Sequence, residues 1–135
     1  MPAVVLDASV VVAALADGGP DGQWAEQILV SGPLAAPHLM PAEAANIVRR
    51  AAAIGKITQD TASLAHADLQ ELRIELFPYE PFADRIWELR ANVTCYDAWY
   101  VALAEFLDCP LATLDRRLAR APGLKCAIQL PGART

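Results

Sequence analysis

Four carboxylates stand in stretches of sequence that are otherwise apolar. An isolated carboxylate that folding buries costs several kcal/mol or becomes protonated, so each of these acids needs a compensating partner. Two carboxylates about 4 Å apart repel each other by roughly 4 kcal/mol at an effective dielectric constant of 20. A hard divalent cation removes that repulsion, and ligand sets made only of oxygen favour Mg²⁺ or Mn²⁺ over zinc. The four acids are Asp7, Glu43, Asp97 and Asp115.

The charge balance of the chain is consistent with a cation site of this kind. Sixteen acidic residues face eleven basic ones among 135 residues, which gives a net charge of −5. Four acids around a cation account for most of that excess, so the net charge does not by itself exclude a nucleic-acid partner. A cation-loaded acidic site that lies close to arginines suits a phosphodiester substrate. Three arginines follow the last of the four acids: Arg116, Arg117 and Arg120.

Helix capping is the competing explanation for each acid taken singly. Asp7 precedes an apolar segment at 8–16, where its carboxylate would cap a helix. Thr94 and Asp97 have the spacing of a capping box, and Glu43 falls in a predicted first turn, where the helix dipole favours negative charge. Capping alone explains each acid without requiring the four to meet, whereas a cation site requires it.

Short apolar runs alternate with longer helical segments along the chain. This order predicts an α/β fold, a three-layer sandwich in which helices cover both faces of a short parallel sheet. The lack of an internal repeat or a Gly/Ser linker predicts a single domain over residues 1–135. The predicted strands are Ala3–Leu6, Leu34–Ala36, Arg73–Phe77, Leu111–Leu114 and Cys126–Leu130. The predicted helices cover 8–16, 23–31, 41–55, 58–71, 80–90 and 97–107, with turn chemistry at 17–22.

This order of elements places the four acids at one edge of the sheet. Asp7 and Asp115 follow parallel strands, so both stand at the carboxyl edge, where open α/β sheets bind ligands. Glu43 opens a helix that follows a strand, and such a helix begins at the same edge. The loop 91–96 spans at most about 20 Å, enough to return the chain along the preceding helix of roughly 16 Å. We therefore expect the helix that carries Asp97 to start there too.

Four segments that contain these acids resemble the PIN domain family, and most of all the VapC-type ribonuclease toxins of type II toxin–antitoxin (VapBC) systems. They occur in the family's order and spacing and cover nearly the whole chain. The resemblance assigns the family's acidic metal-binding quartet to the four acids named above, and its hydroxyl positions near the site to Ser9 and Thr113. The segments are Val5–Ser9, Pro41–Arg50, Tyr96–Glu105 and Leu111–Leu118.

The resemblance implies a metal-dependent endoribonuclease of the bacterial cytoplasm. The four acids would hold Mg²⁺ or Mn²⁺, and a metal-activated water would attack the RNA phosphodiester in line. The enzyme would be the toxin of a toxin–antitoxin pair and would inhibit translation and growth. Its partners would be the RNA substrate, a cognate antitoxin that masks the acidic site, and a second copy in a homodimer. The number of cations stays open, since Arg116 and Arg117 stand where many relatives carry a further acid.

Two other functions stay open on the residues alone. A PIN-like DNA nuclease would use a similar acid cluster, and a non-catalytic scaffold protein would use the acids only to bind Mg²⁺. Digestion of RNA and single-stranded DNA side by side separates the two nucleases, and Mg²⁺ binding without cleavage would indicate the scaffold. The commonest nucleotide-binding and serine-hydrolase classes are excluded, because the chain has no Gly-x-x-x-x-Gly-Lys, Gly-x-Gly-x-x-Gly or Gly-x-Ser-x-Gly motif.

The polar residues around the four acids have two interpretations each. Ser9 and Thr113 either orient a carboxylate or a metal-bound water, or, in the case of Ser9, only cap a helix. The three arginines that follow Asp115 either bind RNA phosphates or lie on a solvated face. Arg49 and Arg50 are expected to lie away from the site.

The remaining residues with chemical potential are assigned to structure. The three cysteines, odd in number and without metal-ligand spacing, are expected to be buried free thiols in a reducing compartment. His38 and His66 are expected on the surface rather than as ligands, and Trp99 and Tyr100 in the core or at a dimer contact. An αα-hairpin at 42–71 offers apolar side chains to a partner helix. These are Ile47, Ile54, Ile57, Leu64 and Leu69.

The sequence gives no sign of a membrane segment or an export signal. Acidic residues interrupt the apolar stretches well before 18 residues, so no transmembrane helix is expected. No basic leader follows Met1, so no secretory signal is expected.

Overall fold

A computed structural model describes residues 2–132 of the chain. Its strands are β1 (Val4–Leu6), β2 (Leu34–Pro37), β3 (Glu75–Phe77), β4 (Leu111–Ala112) and β5 (Ile128–Gln129). They form one sheet in the order β3-β2-β1-β4-β5, and every neighbouring pair is parallel. The chain thus adds β2 and β3 on one side of β1 and then crosses to the other side of β1, where it adds β4 and β5. This change of direction places the topological switch point between β1 and β4.

Helices cover both faces of this sheet. They are α1 (Ala8–Ala16), α2 (Pro20–Leu29), α3 (Met40–Ala53), α4 (Gln59–Glu71), α5 (Ala83–Glu88), α6 (Cys95–Leu107) and α7 (Arg116–Ala119), with a 3₁₀ turn at Glu80–Phe82. The helices α1 to α4 pack on one another, while α5 packs on α6 and α6 packs on β1, β2 and β4. The predicted three-layer α/β sandwich is confirmed. None of the helices within residues 2–132 combines the length and the apolarity that a membrane crossing needs.

The strands are short and apolar because most of them are covered on both faces. All of β1 is buried, and so is β4, as expected for parallel strands between two helical layers. Along α6, every residue from Ala98 to Ala104 except Trp99 is buried, which agrees with its nearly continuous apolar sequence. The core therefore lies on β1, β4 and α6.

The turn predicted at 17–22 is too long, because α2 begins at Pro20 rather than at residue 23. Proline at the first helical position has the required φ angle and lacks only an amide that would have no partner there. Gly22 lies at the close approach of α2 to the end of α1, where a Cβ would stand 1.6 Å from the carbonyl oxygen of Asp17. The glycine therefore serves packing inside a helix rather than a turn.

Other boundaries differ from the sequence prediction by a few residues. The helix α6 starts earlier than predicted because Thr94 caps it, its hydroxyl accepting a hydrogen bond from the Asp97 amide at 3.1 Å. The strand β3 starts two residues later than Arg73, and both β4 and β5 are two-residue strands. The length of a strand depends on pairing with neighbouring strands, and the local sequence pattern contains no information on that pairing.

The expectation that all three cysteines are buried is wrong for Cys95, which is exposed at the start of α6. Cys109 and Cys126 are partly buried, and all three are free thiols. Burial raises the pKa of the Cys109 thiol, and it raises that of Cys126 to about 11.

Candidate active site

Asp7 lies at the carboxyl end of β1, and three donors hold its side chain. Its Oδ1 accepts hydrogen bonds from the Ser9 hydroxyl at 2.5 Å and the Val10 amide at 3.1 Å. Its Oδ2 accepts a hydrogen bond from the hydroxyl of Thr113, a fully buried residue just beyond β4. Burial raises the pKa of Asp7, while these hydrogen bonds oppose that rise. The fold therefore fixes this carboxylate in position and yet disfavours its charged form.

Thr113 and Ser9 link the ends of β1 and β4 as well as holding Asp7. The Thr113 hydroxyl oxygen accepts a hydrogen bond from the Asp115 amide at 3.0 Å. The Ser9 hydroxyl oxygen accepts one from the Leu114 amide at 3.4 Å. The two hydroxyls thus join the first acid of the chain to the segment that carries the last one.

Glu43 lies in the first turn of α3, and its carboxylate meets α6. Its Oε1 accepts a hydrogen bond from the Tyr100 hydroxyl at 2.6 Å. Burial raises the pKa of Glu43, and the nearby carboxylates of Asp97 and Asp7 raise it further, against the effect of the tyrosine. Among residues 2–132 no side chain donates to the other oxygen, Oε2, which leaves it available for a ligand.

Asp97 lies in the first turn of α6, between the other acids. Burial raises its pKa, and so does the negative charge of Asp115 and Asp7. Desolvation is the largest cause of this rise, and the repulsion adds to it. Two of the four acids are thus coupled electrostatically to Asp97 from the ends of two different strands.

Three of the acids share one cavity. Asp7, Glu43 and Asp97 line a cavity of about 280 Å³, together with Ser9 and Tyr100. It opens at the carboxyl ends of the strands, beside the switch point between β1 and β4, where this class of sheet forms its ligand crevice.

Asp115 lines a neighbouring cavity whose wall includes Asp97. Its Oδ1 accepts a hydrogen bond from the Arg117 amide at 2.9 Å, and the Arg117 guanidinium contacts the same oxygen at 3.3 Å. This pairing holds the pKa of Asp115 below its usual range. The fourth acid therefore stands beside the other three, paired with a cation from its own chain.

Capping and convergence both apply. Asp7 caps α1 and Asp115 caps α7, each through a side-chain oxygen that accepts a backbone amide. Capping explains why acids are favoured at these two positions, but it does not require the raised pKa values of Glu43 and Asp97. Those arise from burial and from the acids' proximity to one another.

The residues of the cavity fit a hard divalent cation in their chemistry. Every acidic donor in it is a carboxylate oxygen, the ligand type that Mg²⁺ and Mn²⁺ prefer. A cation would also relieve the repulsion that raises the pKa of Glu43 and Asp97. Within residues 2–132, however, no three His, Cys, Asp or Glu side chains already surround a single metal position.

The arginines are distributed differently from the sequence prediction. Arg50 lines the acidic cavity, so the expectation that it lies away from the site is wrong. Arg116 donates to the Pro131 carbonyl at 2.9 Å and thereby holds the C-terminal segment. Arg117 is paired with Asp115, and Arg120 is exposed at the end of α7. Helical spacing offered the missed signal, because position 50 lies two turns beyond position 43.

Tyr100 is the second site residue that sequence reasoning did not assign. Its side chain is buried, as expected of a core residue, but its hydroxyl reaches Glu43 and lines the cavity. The position three residues after Asp97 on the same helix face was the available signal. Trp99 packs edge-to-face on Tyr79, with ring centroids 5.3 Å apart, and both histidines are exposed.

The hairpin of α3 and α4 presents part of the predicted apolar surface. Ile54 and Leu64 are 71% and 63% exposed, and Ile47 is 36% exposed. Leu69 is buried and Ile57 packs inside the hairpin, so these two are not available to a partner helix.

Comparison with known proteins identifies the family and the fold. The PIN domain family model matches residues 4–124. Ribonuclease VapC1 of Mycobacterium tuberculosis is 44% identical over 131 residues, which cover 96% of this chain and 98% of that protein. The crystal structure of PAE2754 from Pyrobaculum aerophilum matches at 25% identity with a TM-score of 0.68, over 94% of this chain and 83% of that one. VapBC-5 of M. tuberculosis, a member of the VapBC family of toxin–antitoxin systems, matches at 24% identity with a TM-score of 0.60, over 97% and 98%.

Proposed function

The chain belongs to the PIN domain family and resembles its VapC ribonucleases throughout, and from that premise we propose that it is a metal-dependent endoribonuclease, the toxin of a toxin–antitoxin pair. One observation carries the proposal. Three carboxylates from β1, α3 and α6 line one cavity at the carboxyl edge of the sheet, and a fourth stands next to them. Buried carboxylates that repel one another are unfavourable unless a cation neutralises them.

The four acids, Asp7, Glu43, Asp97 and Asp115, would hold Mg²⁺ or Mn²⁺. When bound, such a cation lowers the pKa of water and neutralises negative charge on phosphoryl oxygens. The residues of the chain hold the carboxylates in place at the cavity, where a carboxylate oxygen can accept a proton.

Hydroxyl groups of the chain preorganise two of the acids. Ser9 and Thr113 donate to both oxygens of Asp7, so that carboxylate cannot rotate freely. Tyr100 donates to Oε1 of Glu43, and Oε2 is left available to a ligand. Donors that orient a ligand in this way commonly affect metal affinity by about 10- to 100-fold.

Hydrolysis by water at phosphorus does not need the ribose 2′-hydroxyl as the nucleophile. The products would therefore carry 5′-phosphate and 3′-hydroxyl ends. A nuclease that used the 2′-hydroxyl would leave a cyclic phosphate instead, so the chemistry of the ends reports the nucleophile.

The test is parallel digestion of RNA and single-stranded DNA by the purified chain, with Mg²⁺, with Mn²⁺ and with EDTA. We expect RNA cleavage that needs a divalent cation, gives 5′-phosphate ends and is lost in Asp7→Asn. Cleavage that Asp7→Asn leaves intact would overturn the assignment of the site. Cleavage of DNA alone would assign the chain to the DNA nucleases, and cation binding without cleavage would make it a scaffold.

A toxin of this type would act in the cytoplasm, inhibit translation and growth, and be restrained by a protein partner. The similarity to VapBC-5 and to VapC1 supports this assignment. The exposed apolar residues Ile54 and Leu64 on the α3–α4 hairpin supply a surface for an antitoxin helix. Expression of the chain with and without the product of the neighbouring gene tests it. Growth arrest that Asp97→Asn abolishes and the neighbour relieves is the expected result, and the mass of the purified chain in solution tests the proposed homodimer.

A further inference from the structure

One face of α3 continues the acidic cavity away from the carboxylates. Glu43, Asn46, Ile47 and Arg50 lie at spacings of three, four and seven residues, which align along one face of a helix. All four line the same cavity. The strip therefore runs from a candidate cation ligand, past an amide and an aliphatic side chain, to a guanidinium.

Within residues 2–132 the guanidinium of Arg50 forms no ion pair, although three carboxylates share its cavity. The described residues contain ion pairs at Arg85 and Arg117, but none at Arg50. An arginine that served only to neutralise the acids would pair with one of them. Arg50 instead remains more than 4.0 Å from every carboxylate oxygen in that region of the chain and keeps its donors for a ligand.

The neighbouring arginine has a different environment. The Nε of Arg49 donates to the Oδ1 of Asn46 at 3.0 Å, and Arg49 does not line the acidic cavity. Two adjacent residues of equal charge on one helix thus differ in their access to the cavity. This difference supplies a matched control within the chain.

The separation of Arg50 from the acids indicates which group it binds. Glu43 and Arg50 are about 10 Å apart along the axis of α3, and within residues 2–132 the Arg50 guanidinium lies more than 4.0 Å from every carboxylate oxygen. A phosphate held at the acids would lie against those carboxylates. The next phosphate of the same strand is therefore the better match for a guanidinium that stands apart from them.

We propose that Arg50 binds the phosphate that flanks the scissile one, so that the α3 face at Ile47 and Arg50 is a backbone subsite for the RNA. A bidentate contact of guanidinium to phosphate fits this role, since it fixes position without reading the base. Ile47, between the two phosphates, would lie beside the intervening nucleotide. This subsite rests on the proposed ribonuclease function. It specifies in addition which phosphate of the RNA lies at Arg50 when the scissile phosphate lies at the acids.

The test uses RNA oligonucleotides in which a single phosphate around the cleavage point is replaced by an uncharged methylphosphonate. Arg50→Gln is compared with Arg49→Gln and with the parent chain. In the parent chain, one flanking substitution should lower kcat/KM by about 10-fold or more, the effect of a charge-assisted hydrogen bond. Arg50→Gln should show the same loss on unmodified RNA, mainly through KM, and should be insensitive to that one substitution. Arg49→Gln should behave like the parent chain.

The alternative results are distinct. The subsite is overturned if every flanking methylphosphonate lowers kcat/KM equally in the parent chain and in Arg50→Gln. It is also overturned if Arg49→Gln and Arg50→Gln lose the same amount of kcat/KM on unmodified RNA. If only the methylphosphonate at the scissile linkage distinguishes Arg50→Gln from the parent chain, Arg50 contacts the reacting phosphate, and the flanking subsite is overturned. If Arg50→Gln weakens antitoxin binding but leaves the phosphate map unchanged, Arg50 belongs to the protein interface. If the parent chain cleaves no RNA, the proposed function fails, and equal RNA binding by Arg50→Gln and the parent chain then overturns the subsite separately.

Discussion

The helix α6 carries two acidic residues, one at each end, and their surroundings are opposite. Asp97 in the first turn faces a cavity lined by other carboxylates, and burial and those charges raise its pKa. Glu105 near the last turn accepts two hydrogen bonds from Arg85, at 2.8 and 3.0 Å, and one from the Lys125 amide at 2.8 Å. These contacts hold the pKa of Glu105 below its usual range despite its partial burial.

The two ends of α6 therefore differ in whether the fold itself supplies an ion-pair partner for the carboxylate. At Glu105, Arg85 also donates to the Gly123 carbonyl at 2.8 Å, so one ion pair ties α5, α6 and the segment before β5 together. Within residues 2–132 Asp97 forms no ion pair, and the charge of Arg117, which is paired with Asp115, only partly opposes the burial and the carboxylates that raise the pKa of Asp97. A buried carboxylate without an ion-pair partner from its own chain is the kind of group that a ligand from outside can complete.

The largest expected effect is the loss of activity at the Asp97 end. Asp97→Asn should reduce RNA cleavage by at least about 100-fold, because changing even an outer partner of a metal ligand commonly costs up to that much. Initial rates at fixed Mg²⁺ measure it, and calorimetric titration with Mn²⁺ measures cation binding.

Glu105→Gln is the control on the same helix. It should cleave at close to the parent rate wherever it remains folded. If both variants lose activity equally while folded, the division of α6 into a functional and a structural end is wrong.

The next largest effect is a loss of stability at the Glu105 end. Arg85→Met should lower the free energy of unfolding by about 2 kcal/mol or more, since it leaves a partly buried carboxylate without its charged donors. Urea unfolding measures the change. The exposed pair of Arg117 with Asp115 is the comparison, and Arg117→Met should lower the free energy of unfolding clearly less than Arg85→Met does, because solvent screens an exposed ion pair. A similar loss in both variants would show that burial of the pair is not what matters.

The smallest effect is a difference in pH dependence between the two ends. Folding raises the pKa of Asp97, so its ionisation destabilises the fold, and stability falls as pH rises from below its ordinary value of 3.8 through the raised value. Folding lowers the pKa of Glu105, so its contribution is complete above 4.5 and is lost as pH falls through the lowered value. Asp97→Asn should then be more stable than the parent chain at pH 7, and Glu105→Gln less stable.

Thermal unfolding from pH 7 to pH 3 measures both differences. Each should shrink as the pH falls, because protonation removes the charge that the substitution removed. Mg²⁺ should raise the melting temperature of the parent chain more at pH 7 than at pH 5, since protons and the cation compete for the same carboxylates. A stability gain of Asp97→Asn that is constant across the range would contradict an electrostatic origin.

Much of the fold followed from local patterns. The bounds of α1 at 8–16 were predicted to the residue, since an acidic cap precedes an apolar segment that a polar turn ends. The start of α2 was missed because Pro20 and Gly22 are usual in turns, and only the packing of α2 on α1 shows why the helix tolerates them. The short β4 and β5 were overextended because strand ends depend on neighbours that the local pattern does not contain.

The candidate site divides in the same way. Four acids in apolar surroundings could be named from the sequence, because the cost of burying a carboxylate depends on residue type and on the apolar character of its neighbours. Arg50 was placed outside the site and Tyr100 was assigned to the core, although both lie at helical spacing from a named acid. Spacing shows which residues share a helix face, but it does not show which face is turned to the site.

The sequence by itself determined the residue types of the site and the elements that carry them, because hydrophobic periodicity and the cost of buried charge act over a few neighbouring residues. Only the tertiary structure decided which groups meet. Thr113 binds Asp7 from 106 residues away, and Tyr100 binds Glu43 from 57 residues away. These contacts depend on the chain crossing from β3 to β4 on the far side of β1, a global choice made by the packing of the whole sheet and its helices.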